Sequence, residues 1–314
     1  MKLLIAGYGD LGRHIASVYQ TQIQALDPQQ QAATARIIAL RRHHSDQAQD
    51  SDHFRTIAAD LTDRESLKAL PTDITHVVYC PTPDAFTRQG YEHTFLTGLQ
   101  TLCAQLMTQA RLPHILMVTS TAVYDRALTG WIDESTPTEP DRFNGQVLLQ
   151  AETWLQTTYR GQVSILRLSG LYGPGRDRAL RSLMAGRILL PEDPDYWVNR
   201  IHIRDAARAC LHLLQRTQQT AQAPQAQKTP APKPSIYIGT DDSPLPAHQF
   251  YDTLAKQLDV PVPSRTTDPS RYTPGIQQRR LSNALLKSTG FECEWPNALS
   301  GYQTMIEAIR KEPN

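Results

Sequence analysis

Cysteine is scarce: the 314-residue chain has four, Cys80, Cys103, Cys210 and Cys293, with no CxxC pair and no zinc-type spacing to histidine. That argues against a disulfide framework or a cysteine-based metal cluster, and separate, mostly buried reduced thiols are expected. Net charge is lacking too. The 32 basic and 31 acidic side chains leave +1, so no global field draws the chain to nucleic acid or to an anionic membrane. No apolar run approaches the ~18 residues of a membrane span. The first strand starts at once, without a charged leader and cleavage site, so the cytoplasm is the expected address. His43-His44 and His53 lie in polar sequence and read as solvated rings; no metal is expected.

Against these absences stands one punctuated segment. Gly7-Tyr8-Gly9-Asp10-Leu11-Gly12 directly follows the apolar run Leu3-Leu4-Ile5-Ala6, and an amphipathic stretch with Ile15, Val18 and Tyr19 comes next. A strand, a tight turn and a helix are expected. A dinucleotide diphosphate would dock at the helix N-terminus, where free N–H groups and the helix dipole favour an anion. Gly7 permits the turn, Gly9 lets the backbone approach the phosphates, and Gly12 lets the helix pack closely on its strand. Glycine turns are common; the flanking strand and helix make this one specific.

Apolar runs at 3–6, 37–40, 76–79, 114–118 and 163–168 read as buried parallel strands, separated by helical stretches at 92–110 and 146–158. This alternation predicts an α/β, doubly wound parallel sheet with a smaller C-terminal substrate lobe. Residues 1–170, completed by 196–214 and 235–240, are assigned to the dinucleotide-binding domain, and 171–195 with 241–314 to the lobe. The Gln/Ala/Pro-rich stretch 215–234 reads as a flexible surface insertion. A strand at 235–238 and a helix at 248–258 resume folded structure.

Cofactor choice is written where the second strand ends. Asp27 has the right separation from the glycines for a ribose-binding acid, but Pro28 and a Gln-rich loop follow it, and the strand comes later. The strand-end residues are Arg41 and Arg42, whose guanidinium forks suit a 2′-phosphate, and no carboxylate is expected there to repel it. NADP(H) is therefore favoured over NAD(H), against the plainer alternative of two surface charges. Asp60-Leu61, after a third strand at 55–59, would lie near the adenine, with Asp60 accepting from its amino group.

Taken in order, six segments resemble the extended, epimerase/dehydratase-like branch of the short-chain dehydrogenase/reductase superfamily across nearly the whole chain. They are Gly7 to Gly12, Asp60-Leu61, Val118-Thr-Ser120-Thr121-Ala-Val-Tyr124, Arg167-Leu168-Ser-Gly170-Leu-Tyr172-Gly-Pro-Gly175, Asn199-Arg200-Ile-His202-Ile-Arg-Asp205 and Arg279-Arg-Leu-Ser-Asn283. The resemblance implies that Ser120 is the catalytic hydroxyl, polarising a substrate oxygen, or a strand-end serine bonded locally. It places Pro81 and Thr82 over the cofactor, Leu168 and Gly170 beside the nicotinamide, and Thr121, Tyr124 and Tyr172 near the substrate. Arg176 and Arg200 could meet an acidic substrate or make internal salt bridges. Trp131 could stack on a ring or cover apolar surface. A homodimer through two helices of the first domain is implied by relatives alone.

One part of that family pattern is missing. With Glu152 as anchor, the family's YxxxK tyrosine falls on Asn144 and its lysine on Leu148. An amide exchanges no proton near neutral pH, and leucine offers neither charge nor donor. Tyr124 or Tyr172 could substitute as hydrogen-bond donors, and His202 could titrate in the working range or be an ordinary structural histidine. Two functions remain open: an NADP(H)-dependent oxidoreductase or epimerase-type enzyme on a small polar molecule, or a non-catalytic NADP(H)-binding redox sensor.

Overall fold

The computed structural model describes residues 1–25, 36–42, 51, 53–193, 196–221 and 235–311. They divide into two compact units, residues 1–123, 138–167 and 207–237 in the first and 124–137, 168–206 and 238–314 in the second. Asp27, Pro28 and His43-His44 lie outside the described residues.

The first unit is built on a seven-stranded sheet. Its strands are β1 (Lys2–Ala6), β2 (Arg36–Arg41), β3 (Phe54–Ala58), β4 (His76–Tyr79), β5 (His114–Ser120), β6 (Val163–Leu168) and β7 (Ser235–Gly239). The spatial order β7-β6-β5-β4-β1-β2-β3 is that of a doubly wound fold, with the reversal between β1 and β4. Pairing is parallel from β3 through β5. Leu3, Leu4, Ile5, Ile37, Val77, Val78, Leu116 and Ile165 are fully or almost fully buried, as expected of strands covered on both faces.

Helix α1 (Asp10–Gln24) buries Leu11, Ile15, Tyr19 and Ile23. The expected helix at 92–110 is longer at its start and shorter at its end: α-helix Arg88–Glu92 runs through a π-helical turn, His93–Thr97, into α2 (Gly98–Leu106). α3 (Phe143–Thr158) begins three residues before the expected helix. Helix α4 (Ile203–Ala221) corrects the insertion reading. Residues 215–221 continue the helix, because Gln, Arg and Ala are adequate helix formers and a helix already packed through Leu211 and Leu214 propagates easily. Residues 222–234 lie outside the described residues.

The second unit is held by short strand pairs and helices α5 (Ala247–Leu258) and α6 (Ala298–Lys311) around Tyr172, Leu180, Leu190, Phe250, Leu254 and Tyr302. Residues 124–137 belong here and not to the first domain. Strand Gly130–Ile132 pairs in parallel with Arg279–Leu281, and Arg279 donates to the carbonyls of Tyr124 (2.9 Å) and Asp125 (2.7 Å). Residues 196–206 also cluster with it, because Arg200–His202 pairs with Gly170–Tyr172 and Trp197–Val198 pairs with Leu245–Pro246.

Candidate functional site

The turn after β1 has the geometry that its glycines predict. Gly7 has φ +106°, and a Cβ there would come within 2.5 Å of the Pro81 nitrogen; one on Gly12 would come within 2.5 Å of the Gly7 carbonyl oxygen. At Gly9 a Cβ would meet no protein atom within 4 Å, so this backbone faces open space. Helix α1 starts immediately afterwards with no side chain capping it. Its first N–H groups are thus left for an anion. Asp10 is drawn sideways toward His14 (3.6 Å) and Arg13 (3.9 Å), and Leu11 is buried under the helix. Tyr8 donates its amide to Leu40 and packs its ring against Phe54; burial pushes its phenol above the ordinary range.

A cavity of about 310 Å³ opens on this turn and gathers Gly7, Tyr8, Gly9, Arg41, Arg42, Asp60, Leu61, Pro81 and Thr82. The sheet order explains the gathering: β2 and β4 flank β1, so the segments after all three converge at one edge. The volume is in the range of small-molecule sites. His93 and Thr94 of the π-helical turn also line it, a contribution that no sequence signal announced.

The charges at the rim differ from the sequence expectation. Arg42 is engaged by Asp84, a carboxylate brought in from the segment after β4, and the pair is bidentate. The pair's hydrogen bonds hold the Asp84 carboxyl below its usual range. Arg41 has no carboxylate partner among the described residues. Asp60 accepts from both the amide and the hydroxyl of Thr62, each at 2.8 Å. The Thr62 amide leads in lowering the Asp60 pKa, against burial and helped by His93 and Arg42.

The end of β5 supplies a second group of residues. Ser120 accepts from the Ala122 amide at 3.2 Å, which leaves its own proton to donate. Thr121 is buried. α3 packs closely on this turn, since a Cβ on Gly145 would meet the Ala122 carbonyl oxygen at 2.1 Å. Asn144 is the preceding residue of the same helix, and its buried Oδ1 has no hydrogen-bond partner among the described residues. Leu148 is core, only 3% exposed. Glu152 is 1% exposed and fully committed: it accepts from Thr119 (2.6 Å) and from Arg167 through Nε and Nη2 (2.6 Å for the latter).

The remaining residues inferred from the family pattern lie in the second unit and are largely engaged internally. Tyr124 is fully buried and donates to the Asp133 carbonyl at 3.1 Å. Tyr172 is fully buried, stacked on Tyr302, and burial pushes its phenol far above the ordinary range. His202 is buried, with its ring 3.8 Å from that of Trp295, and its Nδ1 accepts from the Arg204 amide. Arg200 bonds Tyr251 with Asp241 nearby, and Arg176 closes a turn onto Gly173. Leu168 is buried at the end of β6, and Gly170 opens the short strand beside Arg200. The Asn199 and Arg279 segments work as staples: the Asn199 side chain donates to the Arg279 carbonyl (3.0 Å) and accepts from the Leu281 amide (2.8 Å).

No helix among the described residues is long and apolar enough to cross a membrane. A solved structure from Methylobacillus flagellatus, provisionally assigned as an NAD-dependent epimerase/dehydratase, superposes with a TM-score of 0.72 at 30% identity over 99% of both chains. MoeE5 in complex with UDP-glucose and NAD shares the fold, with a TM-score of 0.72 at 17% identity over 99% of each chain. The YeeZ protein of Escherichia coli K12 is 31% identical over 207 residues, 65% of this chain and 66% of its own, so the match spans just under two thirds of that relative. The sequence profile of the NAD-dependent epimerase/dehydratase family matches residues 7–225, and the chain belongs to that family.

Proposed function

We propose that this chain is an NADP(H)-dependent oxidoreductase or epimerase-type enzyme on a small polar substrate, working without the usual Tyr/Lys pair. The reading rests on the uncapped start of α1 beside the open face of Gly9, at a cavity whose rim carries Arg41, which has no carboxylate partner among the described residues. The α1 amides would hold the diphosphate, Asp60 and Leu61 the adenine, and Arg41 the 2′-phosphate, joined by Arg42 once Asp84 releases it. A bound nicotinamide supplies or accepts the hydride. Ser120 donates to the reacting oxygen and the Asn144 amide orients it; neither exchanges a proton near neutral pH, so water carries that step.

A specific observation favours a second reading, the non-catalytic NADP(H) sensor. Leu148 is core, Tyr124 and Tyr172 are both fully buried, and His202 is buried against Trp295, which leaves the expected proton exchangers closed off. Thermal shift with NADP+, NADPH, NAD+ and NADH comes first. A nucleotide at about 100 times its Kd stabilises the fold by about 2.7 kcal/mol, and no shift with any of the four refutes both readings. If NADPH binds, its slow oxidation by aldehydes, ketones or nucleotide sugars, abolished by Ser120→Ala, supports the enzyme. Silence across the panel supports the sensor.

A further inference from the structure

His93 is a residue of the cavity that belongs to none of the sequence motifs. It opens the π-helical turn His93–Thr97, and two bonds fix that turn. The Gly98 amide reaches back five residues to the His93 carbonyl, and the hydroxyl of the fully buried Tyr79, at the end of β4, donates to the Thr94 carbonyl. A Cβ on Gly98 would come within 3.0 Å of that hydroxyl and 3.3 Å of the Leu61 Cβ, so the turn lies directly against the segments that end β3 and β4. Such turns add one residue to a helix, re-aim the side chains around them and recur at functional sites. Here Phe95 is buried beneath the turn while His93 and Thr94 line the cavity.

The groups that face this imidazole come from three separate segments. Asp60 and Thr62 follow β3, Asp84 follows β4 and Arg42 follows β2; on its own helix stand Arg88 and Glu92, which pair with each other at 3.7 Å. The Thr62 amide holds the Asp60 carboxyl below its usual range and the Arg42 hydrogen bond does the same for Asp84, with the charge of His93 helping at both. Both carboxylates therefore stay ionised through the neutral range, as do the arginines. Histidine is the side chain whose charge changes there. The ring's Nε2 lies 3.5 Å from the Thr62 hydroxyl, the outer limit of a hydrogen bond, and the residue is exposed, so this contact does not lock the ring. A surface histidine answering two acidic neighbours accounts for the charges, but it gives no reason for a π-helical turn to carry that ring into the cavity.

We propose that His93 sets cofactor choice by its proton. Charged, it offsets Asp84 and Asp60 and adds to Arg41 at the rim, so a 2′-phosphate is held more tightly. Neutral, it leaves two carboxylates facing that phosphate, and NADP(H) loses advantage over NAD(H). The inference rests on the NADP(H) reading of the cavity and adds to it a dependence on pH. The sign is diagnostic. A phosphate monoester takes up its own proton at about pH 6 and loses charge in acid, so without His93 the preference for NADP(H) should weaken as pH falls; with His93 it should strengthen.

The test is calorimetric titration of the full chain with NADP+ and NAD+ at about pH 8 and about pH 6, the span over which imidazole changes charge. The ratio of the two affinities should move toward NADP+ by about three- to fivefold at the lower pH, the range of an exposed charge pair. His93→Gln can still bond Thr62 and leaves every other histidine in place; it should abolish or reverse that movement and leave NAD+ nearly unaffected. His93→Lys should hold the low-pH preference at both pH values. Titrations at the lower pH in two buffers of different protonation enthalpy count the proton directly, and the native chain should take up more on binding NADP+ than His93→Gln does. If NADP+ does not bind at either pH, the cofactor reading falls and this inference with it. If NADP+ binds and its advantage is the same at both pH values, or moves equally in His93→Gln, the inference is overturned and the cofactor reading stands.

Discussion

The two edges of the seven-stranded sheet are built differently. At the edge where β1, β2, β4 and β5 end, polar groups are left open: the α1 amides, Arg41, the second oxygen of Asp60 and the Ser120 proton. At the edge where the strands begin, polar groups are closed on one another. Thr75 bonds the Lys2 carbonyl, Tyr159 donates to the Pro113 carbonyl at 2.7 Å, and His114 meets the Ser164 hydroxyl at 2.9 Å. The contrast teaches where this fold is free to vary. One edge keeps unsatisfied groups for a ligand; the other consumes its polar groups in stability.

Acid should break the closed edge first and with the largest effect. His76 and His114 are both nearly buried, with ring centres 6.1 Å apart. Burial, then the positive N-terminus and Arg111, lowers His76 from 6.5 to about 4; burial, then His76, lowers His114 to about 3. In the unfolded chain both take up protons near 6.5, so the native state loses stability as pH falls below that value toward the folded values. Between pH 7 and pH 4 the loss should be on the order of 6 kcal/mol, comparable with the whole stability of a typical domain. Urea unfolding across that range measures it. His114→Gln, which retains a partner for Ser164, should flatten the slope; an unchanged slope would place the acid sensitivity elsewhere.

A smaller effect is expected between the edges, where Glu152 joins α3 to β5 and β6 through Thr119 and Arg167. Arg167→Ala strands a buried carboxylate and should cost about 3–5 kcal/mol. The double change Glu152→Leu with Arg167→Met should cost much less, since it removes both charges together. Urea midpoints of the two variants decide the matter. Equal losses would mean that the pair acts by packing alone.

What the sequence made legible was local. Gly7, Gly9 and Gly12 could be read because strand, turn and helix are consecutive, and each glycine's task depends on neighbours a few residues away. Leu148 was legible as a loss for the same reason. Asp84 was not: its approach to Arg42 comes from two loops separated by 42 residues and joined only by the order β4-β1-β2. The placing of the Arg280 guanidinium over the Trp131 ring depends likewise on strands far apart in the chain finding one register. Tyr124 and Tyr172 sit in motifs whose pattern says nothing of exposure, and their burial follows from packing that no spacing encodes.

The open edge is sharpened by the smallest effect, at the Arg42–Asp84 pair. Both side chains are at least half exposed, so the pair itself is worth at most about 1 kcal/mol. A 2′-phosphate recruiting Arg42 must displace Asp84 and meets its negative charge nearby. Asp84→Asn should therefore tighten NADP+ by up to about fivefold, the equivalent of that energy, and leave NAD+ nearly unchanged. Arg41→Ala should move discrimination the other way. Calorimetric titration of both nucleotides with both variants reads the result, and the gain should shrink as salt is added, because an exposed pair is screened. Equal tightening of NADP+ and NAD+ by Asp84→Asn would show that Asp84 opposes the diphosphate they share, and that Arg42 takes no part in choosing between them.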